Sequence, residues 1–305
     1  MAPIIEVNNL FKQFGDINAV SDLSFSVNEG DIYGFLGQNG AGKSTCIRML
    51  LTLIRPDSGE IKIFDKDLRT NRHLILQQTG AIIERPDMYK YLSAFDNLSI
   101  FAKMSGVRTT RKMIMDQLSM VGLADRSSSK VKTYSQGMKQ RLGIAIALVH
   151  EPKLIILDEP TNGLDPQGIA DMRNLILRLS RELGKTVLVS SHLLSEIELI
   201  ANRMIIIHKG KKIAEGNVSE LLDPSNTIVY LETTDDADTL EKLKNTEWAA
   251  GAKAGKDHIL ISISKKEIPD LVAKLTAMGV GIMAIKPRHT LEDYFLSLTN
   301  NEHDV

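Results

Sequence analysis

The run Gly37-Gln38-Asn39-Gly40-Ala41-Gly42-Lys43-Ser44 has the spacing G-x-x-x-x-G-K-[ST]. Glycines at those offsets let the backbone approach an anion closely, and successive amides form a nest for phosphates. A helix opening near Lys43 would add the positive end of its dipole. In that arrangement Lys43 reaches the β- and γ-phosphates of a nucleoside triphosphate, and the Ser44 hydroxyl ligates Mg²⁺. The plain alternative is a glycine-rich turn that happens to precede a lysine. The second chemical cluster is Asp158-Glu159, which follows Leu154-Ile-Ile-Leu157. A buried strand of that kind delivers Asp158 to the metal's coordination shell. It also leaves Glu159 placed to polarise a water aimed at the γ-phosphate. Taken alone, the same run is a core strand ending in a solvated acidic turn.

Both clusters need elements to hold them. Asp31–Leu36 predicts an apolar strand running into the glycines, and Thr45–Ile54 has helical apolar spacing, closed by the turn signal Pro56-Asp-Ser-Gly59. Ile4–Val7, Phe25–Val27, Lys153–Leu157, Thr186–Ser190 and Met204–His208 read as further strands. Buried strands interleaved with helical segments imply a mostly parallel α/β sheet. From about Pro86 to Glu151 the pattern is helical, as for an all-α insertion. Beyond Gly216, strands at Thr227–Leu231, His258–Ile263 and Gly281–Ile285 alternate with helices at Asp238–Lys244 and Glu267–Met278, and Leu291–Leu298 reads as a terminal helix. That predicts a nucleotide-binding domain over 1–220 and a small α+β domain over 221–305, long enough for its own core. The second domain carries no nucleophile, metal cluster or glycine-rich loop, and its Trp248 and His258 read as packing residues.

The ordered motifs resemble those of the nucleotide-binding subunits of ATP-binding cassette (ABC) transporters. Tyr134-Ser135-Gln136-Gly137-Met138-Lys-Gln140-Arg141 is similar to the signature segment LSGGQ-x-QR, and Asn162-Gly163-Leu164-Asp165 to the D-loop. His192, after Ser190-Ser191, sits where the family has its switch histidine, and Phe14 where it has an aromatic that stacks on adenine. The resemblance spans about residues 4–220. It implies a P-loop NTPase (RecA-like) α/β fold with an antiparallel β subdomain and the helical insertion. It also implies ATPase activity with ATP and Mg²⁺. Lys43, Glu159 and His192 would be catalytic. Phe14 and residues 37–45 (Thr45 included) would hold ATP, while Ser44, Glu84 and Asp158 would hold Mg²⁺. Ser135, Gln136, Gly137 and Asp165 would contact the nucleotide of a second copy, so that two chains sandwich two ATP molecules head to tail. Each motif keeps a plainer reading: Phe14 as a core aromatic, His192 as a capping or core histidine, and Ser135 as a helix N-cap.

Two departures point to a subtype. In Thr79-Gly80-Ala-Ile-Ile-Glu84-Arg-Pro86, Glu84 stands where the family has a glutamine, unless the alignment slips and Glu84 is a surface residue. A carboxylate there adds negative charge beside phosphates, so close packing of the site should need metal. In the signature, Gln136 replaces the first glycine and Met138 the terminal glutamine. With the ending Thr290-Leu-Glu-Asp-Tyr-Phe295, these features resemble bacitracin-type and lantibiotic-immunity-type export ATPases. Exporters of other drugs or of ions share much of the pattern.

The 37 Lys+Arg and 38 Asp+Glu among 305 residues give a net charge of −1, which removes the basic-footprint argument for nucleic-acid binding. One cysteine, Cys46, fits a reducing cytosolic setting. The N-terminal residues lack a signal-peptide pattern, and no apolar run approaches the roughly 20 residues that span a bilayer. With no span of its own, the chain's resemblance to ABC transporter subunits implies a separate integral membrane permease as partner, with this chain peripheral on its cytoplasmic face. The competing readings are a soluble ABC ATPase acting on ribosomes or DNA, and a P-loop kinase or GTPase. A single cassette without sustained heptads counts against the former, and the signature segment with His192 against the latter.

Overall fold

The computed structural model describes residues 3–84, 87–221, 227–255 and 258–289, which divide into two compact units, Met1–Asn217 and Val218–Val305. In the first unit, β1 (Pro3–Phe14) and β2 (Ile17–Asn28) form an antiparallel hairpin. Their alternating apolar residues bury Ile5, Val7 and Leu10 against Leu23, Phe25 and Val27. β3 (Ile32–Gly37) is buried throughout and runs into α1 (Lys43–Leu50). The helix stops four residues before the predicted Ile54, because Thr52 takes a left-handed conformation (φ 59°).

β4 (Ser58–Ile63) and β5 (Lys66–Asp67) extend the hairpin sheet in the order β2-β1-β4-β5. The Ser58-Gly59 pair read as a turn thus opens a strand. A side chain on Gly59 would lie 2.6 Å from the Leu10 Cα, so glycine lets β4 meet β1. After α2 (Arg72–Leu76), β6 (Thr79–Ile82) forms the edge of the central sheet.

The helical block follows, with α3 (Ala94–Met104), α4 (Arg111–Met120) and α5 (Gln136–Leu148) packed on one another. Ser93, Thr110 and Ser135 cap their N-termini, each accepting a backbone N–H, an arrangement that contributes about 1 kcal/mol per helix. β7 (Leu154–Leu157), α6 (Pro166–Arg181), β8 (Thr186–Ser191), α7 (Leu194–Ile200), β9 (Arg203–His208) and β10 (Lys211–Asn217) complete the unit. The central order is β10-β9-β3-β8-β7-β6, parallel except for β10. Its core joins Phe35, Ile156, Leu188 and Ile205 to Ile47 and Leu50 of α1 and to the hairpin sheet.

The second unit holds α8 (Val218–Leu221), β11 (Thr227–Thr233), α9 (Asp236–Leu243), β12 (Ala252–Ala254), β13 (Ile259–Ile263), α10 (Ile268–Ala277) and β14 (Ile282–His289). Its antiparallel sheet runs β12-β13-β11-β14. Trp248 packs in the core with Val229, Ile261 and Leu271, and His258 lies against the Tyr230 ring at 4.7 Å. The predicted helix at Leu291–Leu298 and the Thr290–Phe295 ending lie outside the described residues, as does Pro86. No helix among the described residues is long and apolar enough to cross a membrane.

Candidate functional site

The glycine-rich loop sits where β3 hands over to α1, and its shape depends on Gly42. That residue has φ 103°, and a Cβ on it would lie 2.3 Å from the Ala19 carbonyl oxygen. Only glycine meets both conditions. No side chain caps α1, which leaves its first-turn amides to an anion. Gly37, Ala41 and Lys43 are buried, whereas Asn39 and Gly40 are exposed at the tip. Lys43 Nζ donates to the carbonyls of Gly37 at 2.6 Å and Gln38 at 3.1 Å, and lies 3.0 Å from Glu159 Oε1 as an ion pair. Its ammonium is therefore already aimed into the loop.

β7 places the two carboxylates next to this lysine. Asp158 is 1% exposed, and its Oδ1 accepts the Ser190 hydroxyl at 2.6 Å. Its Oδ2 is buried with no hydrogen-bond partner. Ser190 Oγ also accepts the backbone N–H of Glu159 at 2.9 Å, so one hydroxyl on β8 fixes both acidic residues. Glu159 holds a left-handed backbone (φ 49°), and its Oε2 faces His192 Nδ1 at 2.7 Å. That contact makes Nδ1 the donor.

Beyond β8, Glu196 Oε2 accepts both the Ser191 hydroxyl and the Thr161 hydroxyl, each at 2.8 Å. It thereby ties the segment bearing His192 to the segment after Glu159. The sequence reading gave Ser190 and Glu196 no role. The available signal was two hydroxyls closing a buried strand with an apolar middle, followed by an acid in the next helix.

A cavity of about 650 Å³ joins these groups, lined by Ser44, Ile83, Glu84, Gln136, Gln140, Asp158, Glu159, Asn162 and Gly163. Glu84, also in the left-handed region (φ 58°), forms an ion pair with Arg48 of α1. The pair is exposed enough that it contributes only about 0.2–1 kcal/mol. Gln136 lines this cavity together with Ser44 of its own chain.

Ser135 and Asp165 are exposed N-caps of α5 and α6, accepting from Met138 at 3.2 Å and Gly168 at 3.1 Å. Gly137 faces open space: a Cβ there would meet only Leu164 Cδ2, at 3.8 Å. Phe14 is 46% exposed at the end of β1, not a core aromatic, and Lys12 Nζ lies 5.2 Å from its ring centre. Asp57 anchors that strand end, accepting from Lys12 Nζ and from the Gln13 N–H, each at 2.7 Å. These two bonds, the lysine's first, hold its carboxyl below the usual range. Cys46 is buried beneath the loop, and burial alone raises its thiol pKa far enough to keep it protonated.

Comparison with known proteins agrees with this geometry. The ABC transporter family profile matches residues 20–162. The bacitracin transport ATP-binding protein BcrA of Bacillus licheniformis is 41% identical over 300 residues, 98% of either chain. The lantibiotic transport ATP-binding protein SrtF of Streptococcus pyogenes is 43% identical over 212 residues, 70% of this chain and 90% of that one. Among solved structures, cbiO1 of Clostridium perfringens, part of the ABC transporter complex cbiONQ, superposes with a TM-score of 0.67. It is 25% identical, and the match covers 80% of this chain and 95% of that one. With the P-loop, the paired carboxylates and near-full-length relatives in agreement, the chain belongs to the ABC transporter family as an ATP-binding subunit that hydrolyses ATP.

Proposed function

We propose that this chain powers export of a peptide antibiotic through a separate membrane permease, working as a pair of identical subunits at the membrane's cytoplasmic face. The observation that carries the reading is the identity to a bacitracin transport ATP-binding protein, which runs through the small second unit as well as the cassette. SrtF, a lantibiotic transport protein, supports the same substrate class.

In this reading residues 37–45 cradle the phosphates, Phe14 stacks on adenine, and Lys43 pairs with the β- and γ-phosphates. The γ-phosphate competes with Glu159 for the Lys43 ammonium. Once released, the Glu159 carboxylate takes a proton from the attacking water, with His192 orienting it. Ser135, Gly137 and Asp165 of the second copy close over the nucleotide, while Gln136, expected with them, lines the cavity of its own chain beside Ser44. Loss of the γ-phosphate removes a ligand shared by the two copies and shifts the pair toward opening.

Ser44 and Asp158 fit a Mg²⁺ ion, because the buried Asp158 Oδ2 has no protein donor and an acceptor in that position suits a hard cation. Glu84 lines the same cavity. The described residues hold no group of three or more acidic, His or Cys ligands, so the nucleotide's phosphates and water would complete the shell. When bound, the ion neutralises charge on the phosphates.

The test is expression with candidate peptide-antibiotic permeases. Co-purification with one, and ATP hydrolysis stimulated by a peptide antibiotic, is the expected result. A chain that never associates with a membrane protein contradicts the proposal.

Glu84 supplies a second test, because its loop joins the central sheet to the helical block and its carboxylate meets Arg48. Glu84→Gln removes the ion pair at little cost in stability. It should change the number of ATP molecules hydrolysed per substrate moved, measured in proteoliposomes. Unchanged hydrolysis and transport together would remove Glu84 from the coupling path.

A further inference from the structure

Gln140 lies on the second turn of α5, one helical turn beyond Gln136, and the two share the face that lines the nucleotide cavity. Its side chain is 2% exposed, and its Oε1 is buried with no hydrogen-bond partner. A buried carboxamide oxygen without a protein donor is costly to keep, and an apolar side chain of the same length would suit the helix better. Its place on a cavity wall beside Ser44, Asp158 and Glu159 leaves that oxygen to a partner brought into the cavity.

The missing partner must be a donor. Phosphate oxygens and the carboxylates of Glu84, Asp158 and Glu159 are acceptors when ionised. Lys43 is engaged by Gly37, Gln38 and Glu159. The wall's remaining donors, on Ser44, Gln136 and Asn162, make no bond to Gln140 Oε1. Water is the donor that can enter this cavity with a nucleotide, and a carboxamide is well suited to orient it, accepting at Oε1 and donating from Nε2. At the position where the family pattern has a glutamine, this chain has Glu84, whose charge is committed to Arg48.

We propose that Gln140 is a positioning residue for hydrolysis, whose carboxamide orients the water that Glu159 activates. It acts from the helical block and not from the loop of Glu84. Because Gln140 is carried by α5, a displacement of the helical block changes the water's placement without touching the P-loop. The inference rests on the cavity being the MgATP site.

The test is Gln140→Met in the full-length chain, which keeps the length and removes both polar atoms. Thermal unfolding without nucleotide should occur at the same or a higher temperature than in wild type. ATP affinity and KM should be unchanged, while kcat falls about 10- to 100-fold, as for a misplaced reacting group. A lower unfolding temperature in the variant would make Gln140 structural and overturn the proposal, as would an unchanged kcat. A rise in KM with kcat preserved would make Gln140 a nucleotide contact and overturn it equally. If wild type itself binds no MgATP, the reading of the cavity fails, an outcome separate from failure of Gln140 alone.

Discussion

Glu159→Gln should bind ATP at least as tightly as wild type while hydrolysing it about 10²- to 10⁴-fold more slowly, the range for loss of a general base. The two residues have the same shape, and the backbone at this position is set by contacts the substitution leaves in place. The Glu159 N–H still donates to Ser190 Oγ, which still donates to Asp158. What changes is charge. The carboxylate oxygen 3.0 Å from Lys43 Nζ becomes part of a neutral amide, so a γ-phosphate no longer competes with it for the ammonium. The group facing His192 Nδ1 can no longer accept a proton from water. Binding should therefore hold while turnover stalls, and pairs of chains should accumulate with MgATP in gel filtration. Near-normal phosphate release in a single-turnover experiment would remove Glu159 from the role of base.

Much of this site was legible because its chemistry forces residue types into sequence-local patterns. Phosphates demand a close backbone, so glycines recur at fixed offsets. The carboxylate proposed to hold the metal is delivered by a buried strand, so four apolar residues precede Asp158. The parallel core was legible for a related reason: strands buried on both faces read as unbroken apolar runs, as at β7 and β9.

The half-exposed strands were not legible. β4 (SGEIKI) and β10 (KKIAEGN) carry charged and small residues, so the start of β4 reads as part of a turn and β10 gives no strand signal. They are strands because β1 and β9 supply their hydrogen bonds. The roles of Ser190, Glu196 and Gln140 were hidden for another reason. Each depends on an element far away in the chain, and nothing in the surrounding residues encodes which partner the fold brings near. Thr161 and Glu196, 35 residues apart, meet only because β7 and β8 are neighbours.

Mixing two inactive variants should restore hydrolysis, because the proposed site is completed by a second copy. Lys43→Met removes the ammonium from the phosphate loop while preserving its length, so it should lose tight ATP binding. Gly137→Asp should leave the fold intact. The new Cβ has only Leu164 nearby, at 3.8 Å, and a carboxylate in the first turn of α5 suits the helix dipole. It should still bind ATP through its own Lys43, yet the added charge would repel the γ-phosphate held by a partner. Each variant alone is then expected to be inactive. In a mixed pair, one of the two composite sites combines an intact Lys43 with an intact Gly137 across the interface. An equimolar mixture should thus recover about a quarter of the wild-type rate, since half the pairs are mixed and each carries one good site. If Gly137 served the nucleotide of its own chain, every site in the mixture would remain defective, and no activity would return at any mixing ratio.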